Sequence, residues 1–345
     1  KNMIFNKSIG LDIGLTKIKA ISLSRLNNNL HLDAFAAEST PPKGMLSEAS
    51  ADEEEIAQVL KKTVDNLKVN SKNVNIALPD SQVYTKVIEM PLLTDKELSL
   101  AIYWEAERHI PVALSTITLV WNVLKRPSNS SPSEKMQVLM VGAPTTLINK
   151  YQKVIQMAGL SINSIETETL AIVRALTSNN LPPTIIVSIG AINTSLAIIK
   201  DGILVLTYSI QTGGNAISRS IEADFGLTLS QSEEYKKTYG FSKEGSGKKI
   251  GKSTEPILSS ILLEIKKALA FYSQKYKDDA IIQQVLLSGG TAKLPGIDLF
   301  FAENLGIETV VAFPWKIFAN QQLPPDLLNS STDYTIALGL AMRDL

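Results

Sequence analysis

The chain of 345 residues is long enough for two or more domains, and its hydrophobic fraction of 44% is sufficient for a substantial core. Its 34 basic and 34 acidic residues balance, so no net positive field favours nucleic acid or an anionic membrane. The chain has no cysteine, which excludes disulfides and thiolate chemistry, and two histidines are too few for a histidine-based metal site. No signal peptide is recognised and no apolar run is long enough to span a bilayer, which predicts a cytoplasmic protein.

The first two predicted strands form a hairpin with an acid inside an apolar run. Residues 8–14 and 17–23 are almost wholly apolar, and Gly14 marks the turn between them. Asp12 would carry a desolvation cost in such a strand unless a partner compensates its charge. Lys17 and Lys19 share one face of the second strand, because strand side chains alternate, and either could neutralise phosphate charge.

The next predicted elements alternate between helix and strand. They are a helix at 51–66, strands at 74–78 and 84–90, a helix at 94–109, strands at 117–124 and 136–141, a helix at 145–158 and a strand at 162–166. Thr94 and Glu97 form a capping box on the second helix, where Trp104 is predicted to be a packing residue. Residues 79–81 break a strand, and the Ser- and Pro-rich segment 125–135 predicts a mobile loop. The alternation indicates a small α/β subdomain inserted into a larger one.

A boundary at residues 182–183, two consecutive prolines, separates the second half of the chain. The elements predicted around and beyond it are a helix at 170–177, strands at 184–189, 195–199 and 203–210, a helical region at 231–238, a long helix from Pro256, a strand at 284–287 and a helix at 335–343. The glycine- and lysine-rich segment 240–253 is predicted to be a solvated loop, because like charges repel and extend a chain. Pro256 suits the first position of a helix.

The second half repeats the pattern of the first hairpin. Residues 185–199 align with residues 9–23, so that Asp12 matches Ser188 and Gly14 matches Gly190. Two related hairpins predict a bilobed protein with a cleft between related lobes. Glycine turns that face such a cleft can present backbone N–H groups to a phosphate chain, with Asp12 holding a metal-bound water.

Three glycine motifs, 11–14, 188–190 and 287–292, resemble the phosphate and adenosine motifs of the actin/Hsp70/sugar-kinase superfamily. Within that superfamily the chain resembles the FtsA/PilM family of actin-like proteins. The segments that carry this closer resemblance are 5–7, 105–111, 213–218, 287–292 and 337–343. The resemblance covers nearly the whole chain and implies an α/β, bilobed, actin-like fold of the ribonuclease H-like type.

The resemblance also implies a division into four subdomains. They are 1A (1–80, 164–181 and 331–345), an inserted 1C of the FtsA type (81–163), 2A (182–228 and 278–330) and 2B (229–277). It further implies ATP with a magnesium ion in the cleft between the lobes.

Site residues carried over by position fall into five groups and one further acid, Glu168. Asp12, Gly14, Thr16 and Lys19 belong to the first phosphate loop, with Asp12 toward the metal, and Gly190, Asn193 and Thr194 belong to the second. Gly213 and Gly214 approach phosphates or ribose, Glu233 and Lys236 meet ribose and adenine, and Gly289, Gly290 and Thr291 pass under the adenosine. Glu168 falls where the linking helix nears the γ-phosphate.

The partners implied by the resemblance belong to type IV pilus assembly. The family implies binding of the N-terminal cytoplasmic peptide of PilN, a membrane protein, in a groove between 1A and 1C, which would hold the chain at the inner membrane through that partner. Contact with the pilus motor ATPases is a further expectation, and self-association stays open. Nucleic acid is not expected.

One residue departs from the family pattern, because the second phosphate loop usually begins with an aspartate where this chain has Ser188. A hydroxyl is a poorer partner than a carboxylate for a magnesium-bound water. We therefore expect nucleotide binding with slow or absent hydrolysis. Two alternatives remain open at this stage: an FtsA-like filament-forming ATPase that acts as a membrane-tethering scaffold, and a small-molecule kinase, although the insert offers no clear general-base acid.

Overall fold

The computed structural model describes residues 7–26, 29–128, 134–177, 181–241, 245–277, 281–318 and 321–345. The chain divides into two compact units. Unit 1 comprises the described residues of Lys1–Ala175, Pro314–Asn329 and Tyr334–Leu345, and unit 2 those of Leu176–Phe313 and Ser330–Asp333. Every helix in these ranges is too short or too polar to cross a membrane.

The strands of the described residues follow the predicted order, with two additions. In chain order they are β1 (Lys7–Ile13), β2 (Lys17–Leu26), β3 (Asn29–Ser39), β4 (Asn73–Leu78), β5 (Tyr84–Met90), β6 (Ile117–Lys125), β7 (Met136–Pro144), β8 (Ser161–Thr167), β9 (Thr184–Ile189), β10 (Thr194–Lys200), β11 (Ile203–Ile210), β12 (Gln284–Ser288) and β13 (Glu308–Val311). The sequence analysis does not anticipate β3 and β13.

The helices include every one that the sequence predicts and three more. In chain order they are α1 (Ser50–Asp65), α2 (Asp95–His109), α3 (Thr145–Met157), α4 (Glu168–Leu176), α5 (Gly214–Phe225), α6 (Leu229–Tyr239), α7 (Gly245–Tyr276), α8 (Ile297–Leu305), α9 (Pro325–Asn329) and α10 (Thr335–Ala341). Of these, α5, α8 and α9 are not predicted from the sequence.

Unit 1 is built on a five-stranded sheet in the order β3-β2-β1-β4-β8. The first three strands are antiparallel neighbours, and β4 and β8 run parallel to β1. Ile9 and Leu11 of β1 are fully buried in a core that α1 and α3 complete. Gly10 points to the opposite face, where a Cβ would lie only 2.0 Å from the carbonyl oxygen of Ala337 in α10. The glycine therefore allows α10 to lie directly on β1.

The insert forms a separate three-stranded sheet, β5-β7-β6, with α2 packed on one face. The predicted capping box is present: the amide of Glu97 donates to Thr94 Oγ1 at 3.3 Å and the amide of Thr94 donates to Glu97 Oε2 at 2.8 Å. The packing role predicted for Trp104 is wrong, since this side chain is 72% exposed on α2. Residues 129–133 of the predicted mobile loop lie outside the described residues.

Two of the predicted subdomain limits differ from the observed packing. Helix α3, placed in 1C by the range 81–163, shares the core of the main sheet of unit 1 with α1. Residues 314–329, placed in 2A, pack with unit 1, because Gln321 pairs with the backbone of Leu32 in the edge strand β3 through hydrogen bonds of 2.9 and 2.8 Å. The four-subdomain division as a whole stays a prediction.

Unit 2 repeats the strand order of the unit 1 sheet. Its order is β11-β10-β9-β12-β13. The strands β9, β10 and β11 are antiparallel neighbours, and β12 and β13 run parallel to β9. Its core lies between this sheet and the helices α5, α7 and α8. The internal repeat seen in the sequence thus extends from one hairpin to a whole sheet.

The prediction of a solvated loop at 240–253 is wrong, as is the start of the long helix at Pro256. Helix α7 already begins at Gly245, and residues 242–244 lie outside the described part of the chain. Ile250 and Thr254 are buried, so the first turns of the helix contribute to the core of unit 2. Pro256 has no amide hydrogen, so the carbonyl oxygen of Lys252 lacks its usual helical hydrogen bond. The proline is tolerated inside the helix because both residues face solvent.

Candidate functional site

The hairpin of unit 1 pairs its buried acid with a lysine. Asp12 is 3% exposed, and its Oδ2 lies 2.6 Å from Nζ of Lys19, its direct neighbour across the β1–β2 ladder. Lys17, the other lysine considered from the sequence, is exposed at the start of β2. The ion pair compensates the desolvation of the carboxylate, so the expectation of a partner for Asp12 is met by Lys19.

The turn at Gly14 is held from outside the hairpin. Thr40, just beyond β3, donates its hydroxyl to the carbonyl oxygen of Gly14 at 2.7 Å and its amide to that of Thr16 at 3.1 Å. Thr16 itself is exposed. The sequence analysis misses Thr40, because nothing local links it to a turn that lies 24 residues earlier.

Three acids gather at one edge of the unit 1 sheet. Asp12 lies near the carboxyl end of β1, while Asp80 and Glu168 follow the ends of β4 and β8, which run parallel to it. The carboxyl ends of neighbouring parallel strands form the usual ligand edge of an α/β sheet. Glu168 lies beside Asp80 at the start of α4, and its expected place near the γ-phosphate stays a prediction. Asp80 was read only as part of a strand break.

Hydrogen bonds join Asp80 to the start of α4. The amide of Asp80 donates to Glu168 Oε2 at 3.2 Å, and its carboxylate accepts from the amide and the hydroxyl of Thr169 at 3.2 and 2.7 Å. Burial, together with the nearby charges of Asp80 and Asp12, raises the pKa of Glu168 to about 8. Burial, with the charges of Glu168 and Asp12, also raises the pKa of Tyr151 on α3, which faces the same acids. The cluster therefore holds a carboxyl group that retains its proton to a higher pH than an ordinary glutamate does.

The hairpin of unit 2 has the same shape but lacks the ion pair. Its turn closes with a hydrogen bond of 2.9 Å from the amide of Gly190 to the carbonyl oxygen of Asn193. Four residues lie between the members of the last ladder pair in each hairpin, which is Ile13 with Ile18 in unit 1 and Ile189 with Thr194 in unit 2. Ser188 lies across the ladder from Ser195, in the positions that Asp12 and Lys19 occupy in unit 1. The loss of the acid thus coincides with the loss of its cation.

The turn of this second hairpin is bonded to the start of α5. The amide of Gly214 donates to the carbonyl oxygen of Gly190 at 2.8 Å, and that of Asn215 to the carbonyl oxygen of Ala191 at 2.7 Å. Thr194 donates its hydroxyl to the carbonyl oxygen of Thr212 at 2.8 Å. Gly213 and Gly214 therefore lie against the second glycine turn, which agrees with their predicted grouping.

Lys236 anchors α6 to α5 in the same region. Its Nζ donates to the carbonyl oxygen of Gly214 at 3.1 Å, to Ser218 Oγ at 2.9 Å and to Glu233 Oε1 at 2.6 Å, and the residue is 6% exposed. Burial lowers the pKa of Lys236. Burial would raise the pKa of Glu233, but hydrogen bonds from Lys236 and Ser218 lower it overall. Because all three ammonium donors have acceptors inside the protein, Lys236 acts here by orienting Glu233, whose carboxylate is half-buried.

The third glycine motif closes the group in unit 2. Gly289 has φ +83°, and a Cβ on it would lie 2.4 Å from the carbonyl oxygen of Ile189, so β12 passes to Thr291 directly beneath the end of β9. Thr291 is buried, and its Oγ1 would lie 2.4 Å from a Cβ on Gly214. The structure thus brings together every site residue predicted within unit 2, although the sequence spreads them over about a hundred positions.

Asp12 is the acid expected to face a metal. Among the described residues, no three acidic or histidine side chains are arranged to enclose a metal ion. With Lys19 on one of its oxygens, the carboxylate of Asp12 suits the predicted contact with a metal-bound water better than direct enclosure of the ion.

Comparisons with known proteins agree with the fold. Residues 10–345 match the family described as type IV pilus assembly protein PilM. The structure is similar to a chain of the PilM–PilN type IV pilus biogenesis complex, with a TM-score of 0.84 and 25% identity over 97% of this chain and 98% of the other.

More distant relatives share the same fold. The chain is 23% identical to the cell division protein FtsA of Enterococcus faecalis over 329 residues, which cover 84% of this chain and 74% of FtsA. The structure also resembles MreB5 of Spiroplasma citri bound to ADP, with a TM-score of 0.56 and 16% identity over 97% and 94% of the two chains. The fold is therefore the actin-like one expected from the sequence, and the chain belongs to the PilM family of type IV pilus assembly proteins.

Proposed function

We propose that this chain is an ATP-binding adaptor of the type IV pilus assembly machine and that it binds the N-terminal cytoplasmic peptide of PilN. Membership of the PilM family and similarity to a chain of the PilM–PilN complex support the partner. The observation that carries the nucleotide half of the proposal is the convergence, in unit 2, of Gly190, Gly214, Glu233 and Thr291 from four separate elements.

The residues of unit 2 suit the adenosine and phosphate parts of a nucleotide. Glycine turns such as that at Gly190 leave room for a phosphate to approach the backbone. The half-buried carboxylate of Glu233, held by Lys236, is an acceptor for ribose hydroxyls. A similar fold binds ADP in MreB5. In unit 1, Lys19 and Asp12 would serve the phosphates and a magnesium-bound water, and the magnesium ion would screen the phosphate charge.

The PilN peptide is proposed to bind unit 1, in a groove between the main sheet and the insert. PilN is a membrane protein of the pilus machine, so binding its cytoplasmic segment would place this chain at the inner membrane without any membrane contact of its own. An extended peptide that is ordered on binding would gain affinity from its apolar side chains and from the closure of the groove. Contact with the motor ATPases is a further part of the proposal.

Hydrolysis is expected to be slow or absent. Ser188 and Ser195 replace the acid and the cation that the equivalent hairpin of unit 1 retains. A site with one carboxylate instead of two holds magnesium-bound water less firmly, so binding rather than turnover would be the working state. The adaptor would then respond to nucleotide through conformation.

Calorimetric titration and thermal unfolding test this function. ATP with magnesium and a synthetic PilN N-terminal peptide should each raise the midpoint of the wild-type protein, since a ligand at 100 times its Kd stabilises by about 2.7 kcal/mol. Glu233→Gln should weaken ATP at least tenfold and leave the peptide unaffected. The neighbouring exposed Glu234→Gln is the matched control and should change neither. A wild-type midpoint that neither ligand moves, or equal losses in the two variants, would contradict the proposal.

A further inference from the structure

Asp80 occupies a junction between two parts of unit 1. It is 8% exposed and lies in a short 3-10 turn, Asp80–Gln82, immediately before β5, the first strand of the insert. Its backbone and side chain also hold the first two residues of α4, Glu168 and Thr169. Asp80 thus connects the start of the insert with α4, the helix that carries Glu168, the acid expected near the γ-phosphate.

The contact depends on the topology of the sheet. Strands β4 and β8 are parallel neighbours, with Leu78 opposite Thr167, so the chain segments that leave them lie side by side. The segment after β4 leads into the insert, and the segment after β8 leads into α4. A shift of α4 by even 1 Å would break the hydrogen bond of 2.7 Å between Thr169 Oγ1 and Asp80 Oδ2, unless the start of the insert moved with it.

The hydrogen bonds between Asp80 and the start of α4 fix both the backbone position and the side-chain orientation of Glu168. The carboxylate of Asp80 accepts two donors from Thr169 and so sets the position of the first turn of α4. The amide of Asp80 donates to the carboxyl group of Glu168 and so sets its side-chain orientation. The charges of Lys19 and Asp12 influence Glu168, and Asp80 in addition holds it by a direct hydrogen bond.

We propose that Asp80 is the positioning residue of Glu168 and the link by which a nucleotide in the site and a peptide on the insert influence each other's affinity. This inference rests on the proposed function, since it requires both ligands to bind. It adds a specific route: the peptide moves the insert, the insert moves residues 80–82, and these residues move Glu168 relative to the terminal phosphate. By linkage, the nucleotide must change peptide affinity by the same factor.

Two variants test separately the hydrogen bond between Thr169 and Asp80 and the negative charge of Asp80. Thr169→Val keeps both carboxylates and removes the donor of the 2.7 Å hydrogen bond, whereas Asp80→Asn keeps an acceptor and removes the charge. Thr63→Val is the matched control, because Thr63 is likewise buried in unit 1 and bonds only the carbonyl oxygen of Val59 within α1. Thermal unfolding of each variant without ligand shows that it folds.

The measurement is isothermal titration of ATP and of ADP, each with and without saturating synthetic PilN N-terminal peptide. In the wild type and in Thr63→Val, the peptide should change ATP affinity at least fivefold and change ADP affinity less, because only ATP reaches Glu168. In Thr169→Val, the ATP factor should fall to within twofold of unity, whereas Asp80→Asn, which keeps an acceptor for Thr169, should keep most of the factor; ATP and peptide alone should still bind to both variants.

The outcomes distinguish the inference from the function beneath it. Wild-type protein that binds both ligands without any coupling, or a Thr169→Val variant that keeps the full coupling factor, overturns the role of Asp80 and leaves the adaptor function standing. Wild-type protein that binds neither ATP nor the peptide overturns the function and the inference together. If Thr169→Val does not fold, Asp80→Ala, which removes both acceptors of Thr169, takes its place, and an unchanged coupling factor in that variant would equally overturn the inference.

Discussion

At the scale of single residues, the carboxyl group of Glu168 links stability to pH. Its pKa is about 8 in the folded chain against an ordinary value of 4.5. Between these values the folded state holds a proton that the unfolded state has released, so stability falls as pH rises through this window and levels off above it. Acidification below pH 4.5 removes the effect.

Glu168→Gln should therefore stabilise the ligand-free protein at alkaline pH. We expect no gain near pH 4.5 and, between that pH and pH 8, a gain in the free energy of unfolding that grows by up to about 1.4 kcal/mol per pH unit. Urea unfolding at pH 5, 7 and 8 measures the difference. The exposed Glu234→Gln serves as the control, and a gain for Glu168→Gln that does not grow with pH would show that burial does not hold this carboxyl group protonated.

Ser188 gives a second prediction for a single residue. Ser188→Asp restores a carboxylate at the position that Asp12 occupies in unit 1 and should raise magnesium-dependent ATP hydrolysis at least tenfold. Ser188→Asn has nearly the same volume without the charge and should leave turnover at the wild-type level. Phosphate release assays compare the three proteins; rapid turnover by the wild type, or equal rates in both variants, would refute the role given to this position.

The site residues that sequence reasoning finds are those in short motifs. Asp12, Gly14 and Gly190 stand out because a glycine follows an apolar strand in each half of the chain. Thr40 and Asp80 have no such signal, because their partners lie 24 to 89 residues away and meet them only when β3 folds onto β2, or when β4 pairs with β8. A local pattern cannot reveal a hydrogen bond that topology creates.

At the scale of elements, α5 and the first turns of α7 were missed for compositional reasons. Helix α5 begins with two glycines, Gly213 as its N-cap and Gly214 as its first residue, and glycine is unfavourable in helices. The start of α7 is rich in glycine and lysine, which indicates a loop when read locally. Tertiary packing overrides these preferences, since Ile217 and Ile221 of α5 and Ile250 of α7 are buried in the same core.

The short helix α10 is held in place by hydrogen bonds from the arginines that pair with Glu166. Arg174 of α4 makes two hydrogen bonds to the buried carboxylate of Glu166, at 2.6 and 2.7 Å, and a third to the carbonyl oxygen of Gly339 in α10, at 2.7 Å. Arg343, just past that helix, donates to the same carboxylate at 2.8 Å. The carboxylate of Glu166 in β8 thus accepts hydrogen bonds that connect this strand to α4 and to the residues just past α10.

Arg174→Met should therefore destabilise unit 1 by about 3 kcal/mol, because it leaves a buried carboxylate with one of its two cations. Lys62→Met, which breaks a surface pair with Glu38, is the matched control and should cost less than about 1 kcal/mol. Chemical unfolding followed by circular dichroism gives both values. Equal losses would mean that the Glu166 cluster contributes no more than an ordinary surface pair.

At the scale of the whole molecule, the sequence repeat predicts more than one hairpin. Both units share the order of three antiparallel strands followed by two parallel ones, which the alignment of residues 9–23 with 185–199 foreshadows. The predicted place of residues 314–329 in subdomain 2A differs from their packing, because position along the chain favours the second lobe while Gln321 bonds to β3 of unit 1. When a chain segment packs against an element that is distant in the sequence, the hydrophobic pattern of the segment does not show which element it will contact.

The contact of α10 with β1 bears on how the protein is made. Residues 7–26 leave the ribosome well before residues 335–341, which complete the cover on one face of their sheet and emerge after all of β9–β13. Unit 2 lies almost entirely in one continuous stretch, so it can complete its core during translation, whereas unit 1 must wait. The usual order in which the amino-terminal domain matures first is reversed, and the nascent first half is the part that chaperones would need to shield.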